Sequence, residues 1–279
     1  IDDMDGINIF NNTISSQYGI WSTDSTGIRI STNNIVASKS GIFTSNSKGN
    51  ITYNQILGVC KDDDCATVYF TKVAENGIKI ESYSDIVLIE NEISSFNFLV
   101  NISKSDILIN NNNLNFGNTG IYLIEGKSAV ISSNNISNGT KLIEVFDSVQ
   151  IEISSNNFSN FGHAFLSINS TSQIYTNHYL DGETCIELID SSYTISNYDN
   201  FDCNEAYLYE KFNVNVNILT DDGIASPNHQ FYYYNEFDNS KEYSQTKTNG
   251  ISNYLLLKTL KVDNAGLNIN FNNYFIGYY

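Results

Sequence analysis

The stretch Ile7-Asn8-Ile9-Phe10-Asn11-Asn12-Thr13-Ile14 fits the pattern Ile-x-Ile-x-x-Asn-x-Ile. That pattern returns about every 21 to 22 residues through the first three quarters of the chain. It recurs from Ile28 to Ile35, Ile86 to Ile93, Ile107 to Leu114 and Ile151 to Phe158, with weaker copies ending at Ile56, Ile136 and Tyr179. Its Asn falls at 12, 33, 54, 91, 112, 134, 156 and 177, and the next residue in phase is Tyr198. A second apolar column runs through Ile20, Ile42, Ile78, Val100, Ile121, Ile143, Phe165, Ile186 and Tyr207. Two columns at one fixed period describe a single supersecondary unit stacked on itself.

The period is too short for helical hairpins, and within each copy the apolar residues alternate, so the unit is made of strands and turns. Its length suits one turn of a parallel β-helix. Leucine-rich repeats share that length but need Leu where this chain has Ile, Asn and Ser. The Ile columns are expected to fill a narrow core. The Asn column is expected at a bend, where Asn tolerates left-handed backbone and can bond to the Asn of the next coil. About nine coils at roughly 4.8 Å per rung give a rod on the order of 40 Å long.

The spacing breaks once, with 37 residues from Asn54 to Asn91. About 15 residues are therefore inserted near 57–72, and they contain Cys60-Lys61-Asp62-Asp63-Asp64-Cys65. Cys60 and Cys65 can close a small disulfide ring. Zinc is the alternative, but no further Cys or His lies within 90 residues. Cys185 and Cys203 stand near one apolar column on neighbouring coils and could bridge them. An even cysteine count favours an oxidising compartment. Seven Asn-x-Ser/Thr sequons, at Asn11, Asn50, Asn101, Asn135, Asn138, Asn157 and Asn169, lie in the repeats, and some are expected to carry glycan.

Fourteen basic against thirty-one acidic residues give a net charge of −17, with Arg29 the only arginine. This argues against a nucleic-acid partner, whose backbone demands Lys and Arg, and disfavours anionic membranes. No stretch reaches the length of a bilayer span. The chain opens on Ile1 without a signal peptide and is expected to be a processed or truncated piece of something longer.

Near residue 211 the repeat stops. Alternation in Phe212-Asn213-Val214-Asn215-Val216-Asn217-Ile218 is followed by a turn at Asp221-Asp222-Gly223 and by Pro227, the only proline. Then come an aromatic strand over Gln230 to Asn235, a turn at Thr248-Asn249-Gly250, an apolar run from Ile251 to Leu257, and two strands over Leu267 to Phe271 and Tyr274 to Tyr279. The expected organisation is a β-helix over 1–210 and a small antiparallel β-sandwich over 211–279.

Residues 1–210 resemble the right-handed parallel β-helix repeat family that includes pectate-lyase-like folds and NosD-type repeats, as in Ile151-Glu152-Ile153-Ser154-Ser155-Asn156-Asn157-Phe158. Residues 212–279 resemble the Ig-like modules that follow such repeats in archaeal and bacterial surface proteins. The matching stretch runs from Val214-Asn215-Val216 through Asp222-Gly223 to Pro227, then Thr248-Asn249-Gly250. The β-helix enzymes of this resemblance need clustered acids, often around calcium, with a Lys or Arg base. The polygalacturonase-like pattern of Asn-Thr-Asp, Asp-Asp, Gly-His-Gly and Arg-Ile-Lys has only Gly162-His163-Ala164 as its nearest approach. His163, His178 and His229 are scattered and, with a single Met, do not suggest copper. Asp2-Asp3-Asp5 and Asp62-Asp63-Asp64 are either weak calcium loops or solvated acids.

The expectation is therefore a non-enzymatic extracellular structural glycoprotein without cofactor or metal, self-associating into a layer, sheath or filament at the cell surface. The alternatives are an adhesin or carbohydrate-binding rod, with exposed Tyr18, Tyr53 or Tyr83 stacking on sugars, and a polysaccharide lyase or hydrolase. Neither nucleic acid nor membrane insertion is expected.

Overall fold

The computed structural model describes residues 2–59, 74–195, 199–214, 228, 230–235, 242–249, 251–252, 255–262, 268–270 and 274–278. The repeats form a parallel β-helix. Nine short strands, from Asn8–Phe10 to Ser192–Ile195, stack in one parallel sheet. Longer strands of up to 12 residues, from Thr13–Thr23 to Cys203–Val214, stack in a second. Nine stacked strands are separated by eight steps, so the solenoid makes about eight turns rather than nine.

The second apolar column is a single inward file. Ile42, Ile78, Val100, Ile121, Ile143, Phe165 and Ile186 are paired in register and inaccessible to solvent. After Ile186 the file passes to Leu208, not to Tyr207, because the register between His178–Ile189 and Cys203–Val214 slips at Gly182/Thr184. Cys185 and Cys203 are bonded across that slip, with a Cα–Cα distance of 5.8 Å. Closing 18 residues of chain there restricts the unfolded state by about 3 kcal/mol in the chain-entropy account.

The Asn column forms a continuous buried ladder. Asn33 Nδ2 donates to Ser31 O on its own turn (3.0 Å), to Ile9 O on the turn before (3.0 Å) and to Asn54 Oδ1 on the turn after (2.9 Å). Its Oδ1 accepts from the backbone N–H and the amide of Asn12. The same bonds repeat through Asn91, Asn112, Asn134 and Asn156 to Asn177. The last acceptor is Asp199 Oδ1, one residue beyond the expected phase at Tyr198. Burial raises the Asp199 carboxyl above its ordinary range, although the two Asn177 donors pull the other way.

The left-handed residue at this bend is not the ladder Asn but its predecessor: Asn11, Thr32, Tyr53, Glu90, Asn111, Ser133, Ser155 and Thr176 have φ between 54° and 58°. The ladder Asn has its amide fully engaged, so the bend is made one residue earlier. A second ladder closes the far end of the long strands. The N–H groups of Ser25, Ser47 and Ser84 donate to Oγ of Ser47, Ser84 and Ser105, and those of Ser148 and Ser170 to Ser170 and Ser191. Each also follows a left-handed corner, as at Asp24, Asn46, Lys104 and Asp147.

The spacing break falls inside one long strand. Asn34–Ser45 pairs with Gln55–Gly58 through its first half and with Ala74–Glu81 through its second. The residues between, Cys60 and Cys65 among them, lie outside the described set. Beyond the repeats, Cys203–Val214 crosses the 210/211 boundary expected from sequence and pairs antiparallel with Leu255–Val262. Glu242–Gln245, Gln230–Asn235 and Tyr274–Tyr278 form a separate antiparallel sheet. Among the described residues no helix is long and apolar enough to cross a membrane.

Ile121→Ala should lower the unfolding free energy by about 2–5 kcal/mol, as a truncation inside a close-packed file. Asn112→Ala removes the acceptor of the Asn91 N–H, one of the three acceptors of the Asn91 amide, and one donor from each of the carbonyls of Leu88 and Asn110. With one buried donor left unpaired it should cost about 1–3 kcal/mol. The exposed neighbour Asn113→Ala should cost about 0.5 kcal/mol or less. Urea denaturation of the three variants measures the order.

Candidate functional site

Five successive long strands, from Glu92–Ser103 to His178–Ile189, bend in their first half at a third column of left-handed residues: Ser95, Phe116, Asn138, Asn160 and Asp181, with φ from 54° to 65°. Asn tolerates this conformation best among ordinary residues. Asn138 Nδ2 donates to Asn115 Oδ1 (2.7 Å), and Asn160 Nδ2 donates to Asn138 Oδ1 (2.9 Å). On the next turn the column reaches Asp181, whose carboxylate has no N–H to continue the run.

An open groove of about 510 Å³ lies at this break, lined by Asn138, Thr140, Asn160, Phe161, Asp181, Glu183 and Asn204 with Gly139, Gly162 and Gly182. Phe161 is nearly buried and lies across Gly182, where an added Cβ would sit 1.8 Å from its ring. The groove therefore has an apolar floor and walls of amides, hydroxyl and carboxylates.

Two ion-pair networks flank it on the same strands. Glu144 accepts from Thr119 Oγ1 (2.9 Å) and Lys141 Nζ (2.7 Å). Glu187 is held by Lys211 Nζ and by His163 Nδ1 (3.1 Å). Both glutamates are buried. Burial of Glu187 works against its charge, but the bonds from His163 and Lys211 outweigh it and bring the carboxyl from 4.5 to about 2. No ion pair among the described residues neutralises Asp181 or Glu183.

Of the sequons, only Asn138 lines the groove. Asn101 donates to Asn76, Asn169 to Asp147, and Asn157 to Asn135, which donates to Asn113. Asn11 accepts from Thr32, and Asn50 is exposed on the short-strand sheet. Tyr18, Tyr53 and Tyr83 are exposed but none borders the groove. Asp2 and Asp5 accept from Thr23 and Thr26. His178 meets Asn200. Asp62, Asp63, Asp64 and His229 lie outside the described residues. The sequence reading did not single out Asn160, Asp181, Glu183 or Glu187. The first two were detectable, because Asn138, Asn160 and Asp181 repeat the 21–22 spacing.

The profile of the family described as "Right handed beta helix region" matches residues 64–201, just under half of the chain. With the stacked parallel sheets, this makes the solenoid a right-handed parallel β-helix. No curated protein matches the chain. Among solved structures, it is similar to the enzymatically active domain of tailspike protein 2 of bacteriophage CBA120 (10% identity, TM-score 0.45, 97% of this chain and 63% of that one). It is also similar to DFA-IIIase from Arthrobacter chlorophenolicus A6 in complex with GF2 (9% identity, TM-score 0.34, 64% of this chain and 63% of that one). A third is a tailspike of E. coli bacteriophage HK620 in complex with a hexasaccharide (13%, 0.31, 97% and 58%). The chain spans less than two thirds of the length of each.

Because the folded carboxyl of Glu187 titrates near 2 and its ordinary value is 4.5, its stabilising contribution is complete above pH 4.5 and is lost as pH falls toward 2. The shift corresponds to about 3 kcal/mol. Glu187→Gln should be less stable than the parent by about that amount at neutral pH. The gap should close on acidification through the same window, as read by urea unfolding at several pH values.

Proposed function

We propose that the chain is a carbohydrate-binding β-helix rod whose saccharide site is the groove at Asn138, Asn160 and Asp181. The observation that carries this reading is the lining itself. Sugar hydroxyls both donate and accept, and the groove offers amides, a hydroxyl and carboxylates on successive turns above a phenyl floor. A few convergent polar groups over an apolar floor suit a small-molecule or glycan ligand. The expectation of a layer or sheath subunit draws no support from this geometry.

The rod is proposed to bind without cleaving. Glu187 is fixed in its charged form by His163 and Lys211, which removes it as a proton donor, and Glu144 is engaged by Thr119 and Lys141. A hydrolase using Asp181 and Glu183 is the second reading, since those carboxylates share the groove. The buried Cys185–Cys203 bridge supports an extracellular setting. Glycosylation of exposed sequons, self-association and an Ig-like module over 211–279 belong to the same proposal.

A glycan array probed with the whole chain tests the reading, with reducing-end release measured in parallel. Asp181→Asn with Glu183→Gln should weaken the best-bound glycan by roughly tenfold, the scale of one lost charge-assisted hydrogen bond. Binding that survives both substitutions would move the site elsewhere. Release of reducing ends, abolished by the same pair, would establish the hydrolase instead.

A further inference from the structure

We infer that the groove selects saccharides that carry free amino groups over neutral or uronic ones. This rests on the saccharide reading above and adds the chemical class of the ligand. Asp181, at the left-handed bend, and Glu183 belong to one strand and both line the groove. Two lysines of the long-strand sheet are already committed: Lys141 to the buried Glu144 and Lys211 to the buried Glu187. Arg29, the only arginine, lies in the short-strand sheet at Ile28–Ser31. Glu205, next to the groove residue Asn204, accepts from Tyr209 and adds a third carboxylate nearby.

A uronic acid entering this groove would meet two carboxylates with no described cation to offset them, and like charges in contact are a strong barrier. A neutral sugar would bond the corner amides of Asn138 and Asn160 and leave the carboxylates hydrated. A protonated sugar amine satisfies both carboxylates with charge-assisted bonds, roughly twice as strong as neutral ones. The amides remain for the ring hydroxyls. The corner column makes the ligand a sugar rather than any cation, since a polyamine has no hydroxyls to use it.

The test is calorimetric titration of the whole chain with three oligomers of one length: a glucosamine oligomer, its fully N-acetylated form and a galacturonate oligomer. Acetylation removes the charge without altering the sugar backbone. The glucosamine oligomer should bind roughly tenfold more tightly than its acetylated form, and raising the salt should shrink the difference. The preference should vanish in Asp181→Asn/Glu183→Gln and persist in Asp85→Asn/Glu90→Gln, which removes as much charge from elsewhere on the rod. Equal or tighter binding of the acetylated or galacturonate oligomer overturns the selectivity and leaves the saccharide site standing. A preference that survives the groove substitutions, or spermine competing as strongly as the oligomer, assigns the effect to the overall charge of −17 and also overturns it. If none of the three oligomers binds, the saccharide reading of the groove itself falls.

Discussion

A buried asparagine amide that must serve three turns at once sets the phase of the stacked repeats. Asn33, Asn54, Asn91, Asn112 and Asn134 each donate to a carbonyl of their own turn, to one of the preceding turn and to the Asn of the following turn. Turns of 21 and 22 residues both keep this phase, whereas one that lost it would strand those groups away from water, at about 1–3 kcal/mol for each. The chain can lengthen only where the phase is recovered before the next Asn. That is what the break between Asn54 and Asn91 does: 37 residues separate them, yet their ladder bond keeps the ordinary 3.0 Å. The described strands on either side, Gln55–Gly58 and Ala74–Glu81, pair with the two halves of one long strand, Asn34–Ser45.

The core was legible because it is periodic in residue type. Ile at fixed intervals admits few other readings, and the inward files follow it up to Ile186. The departures are local. Left-handed backbone moved one residue ahead of the ladder Asn, since an amide engaged with three turns is held by the strand on either side of it. The Ser ladder was overlooked because Ser is common throughout the chain, and only burial distinguishes Ser47 or Ser148 from a solvated serine. Leu208 replaced Tyr207 because one slip in register flips a strand by a full residue, and alternation alone does not locate the slip.

The candidate site was less visible, for a reason that generalises within this fold. Several contacts beside the site join residues one repeat apart plus two to four positions: Asn76 to Asn101, Thr119 to Glu144, and Glu187 to Lys211 are separated by 25, 25 and 24 residues. These diagonals follow from rungs about 4.8 Å apart, which long side chains span obliquely. A search at the repeat period itself finds Asn138, Asn160 and Asp181 and misses the Thr119–Glu144, His163–Glu187 and Glu187–Lys211 contacts. Read by sequence alone, Asn138-Gly139-Thr140 is a glycosylation signal. Only the turn above it, with Phe161 lying on Gly182, makes it a groove wall.

Aspartate interrupts the amide columns at both of the places where the solenoid changes character. Asparagine can extend a ladder because it accepts and donates, whereas an ionised aspartate only accepts. In the main ladder the donors point toward later turns, so Asp199 can take the bonds of Asn177 and then pass none on. The donors of Asn177 are satisfied there, and the next strand on the long-strand sheet, Leu255–Val262, runs antiparallel. In the corner column the donors point toward earlier turns, so Asp181 cannot supply the bond that Asn160 supplies to Asn138. The same substitution of oxygen for NH2 thus closes one ladder and opens the other. What remains at the open one is a carboxylate facing a row of amides, and that chemical discontinuity locates the groove.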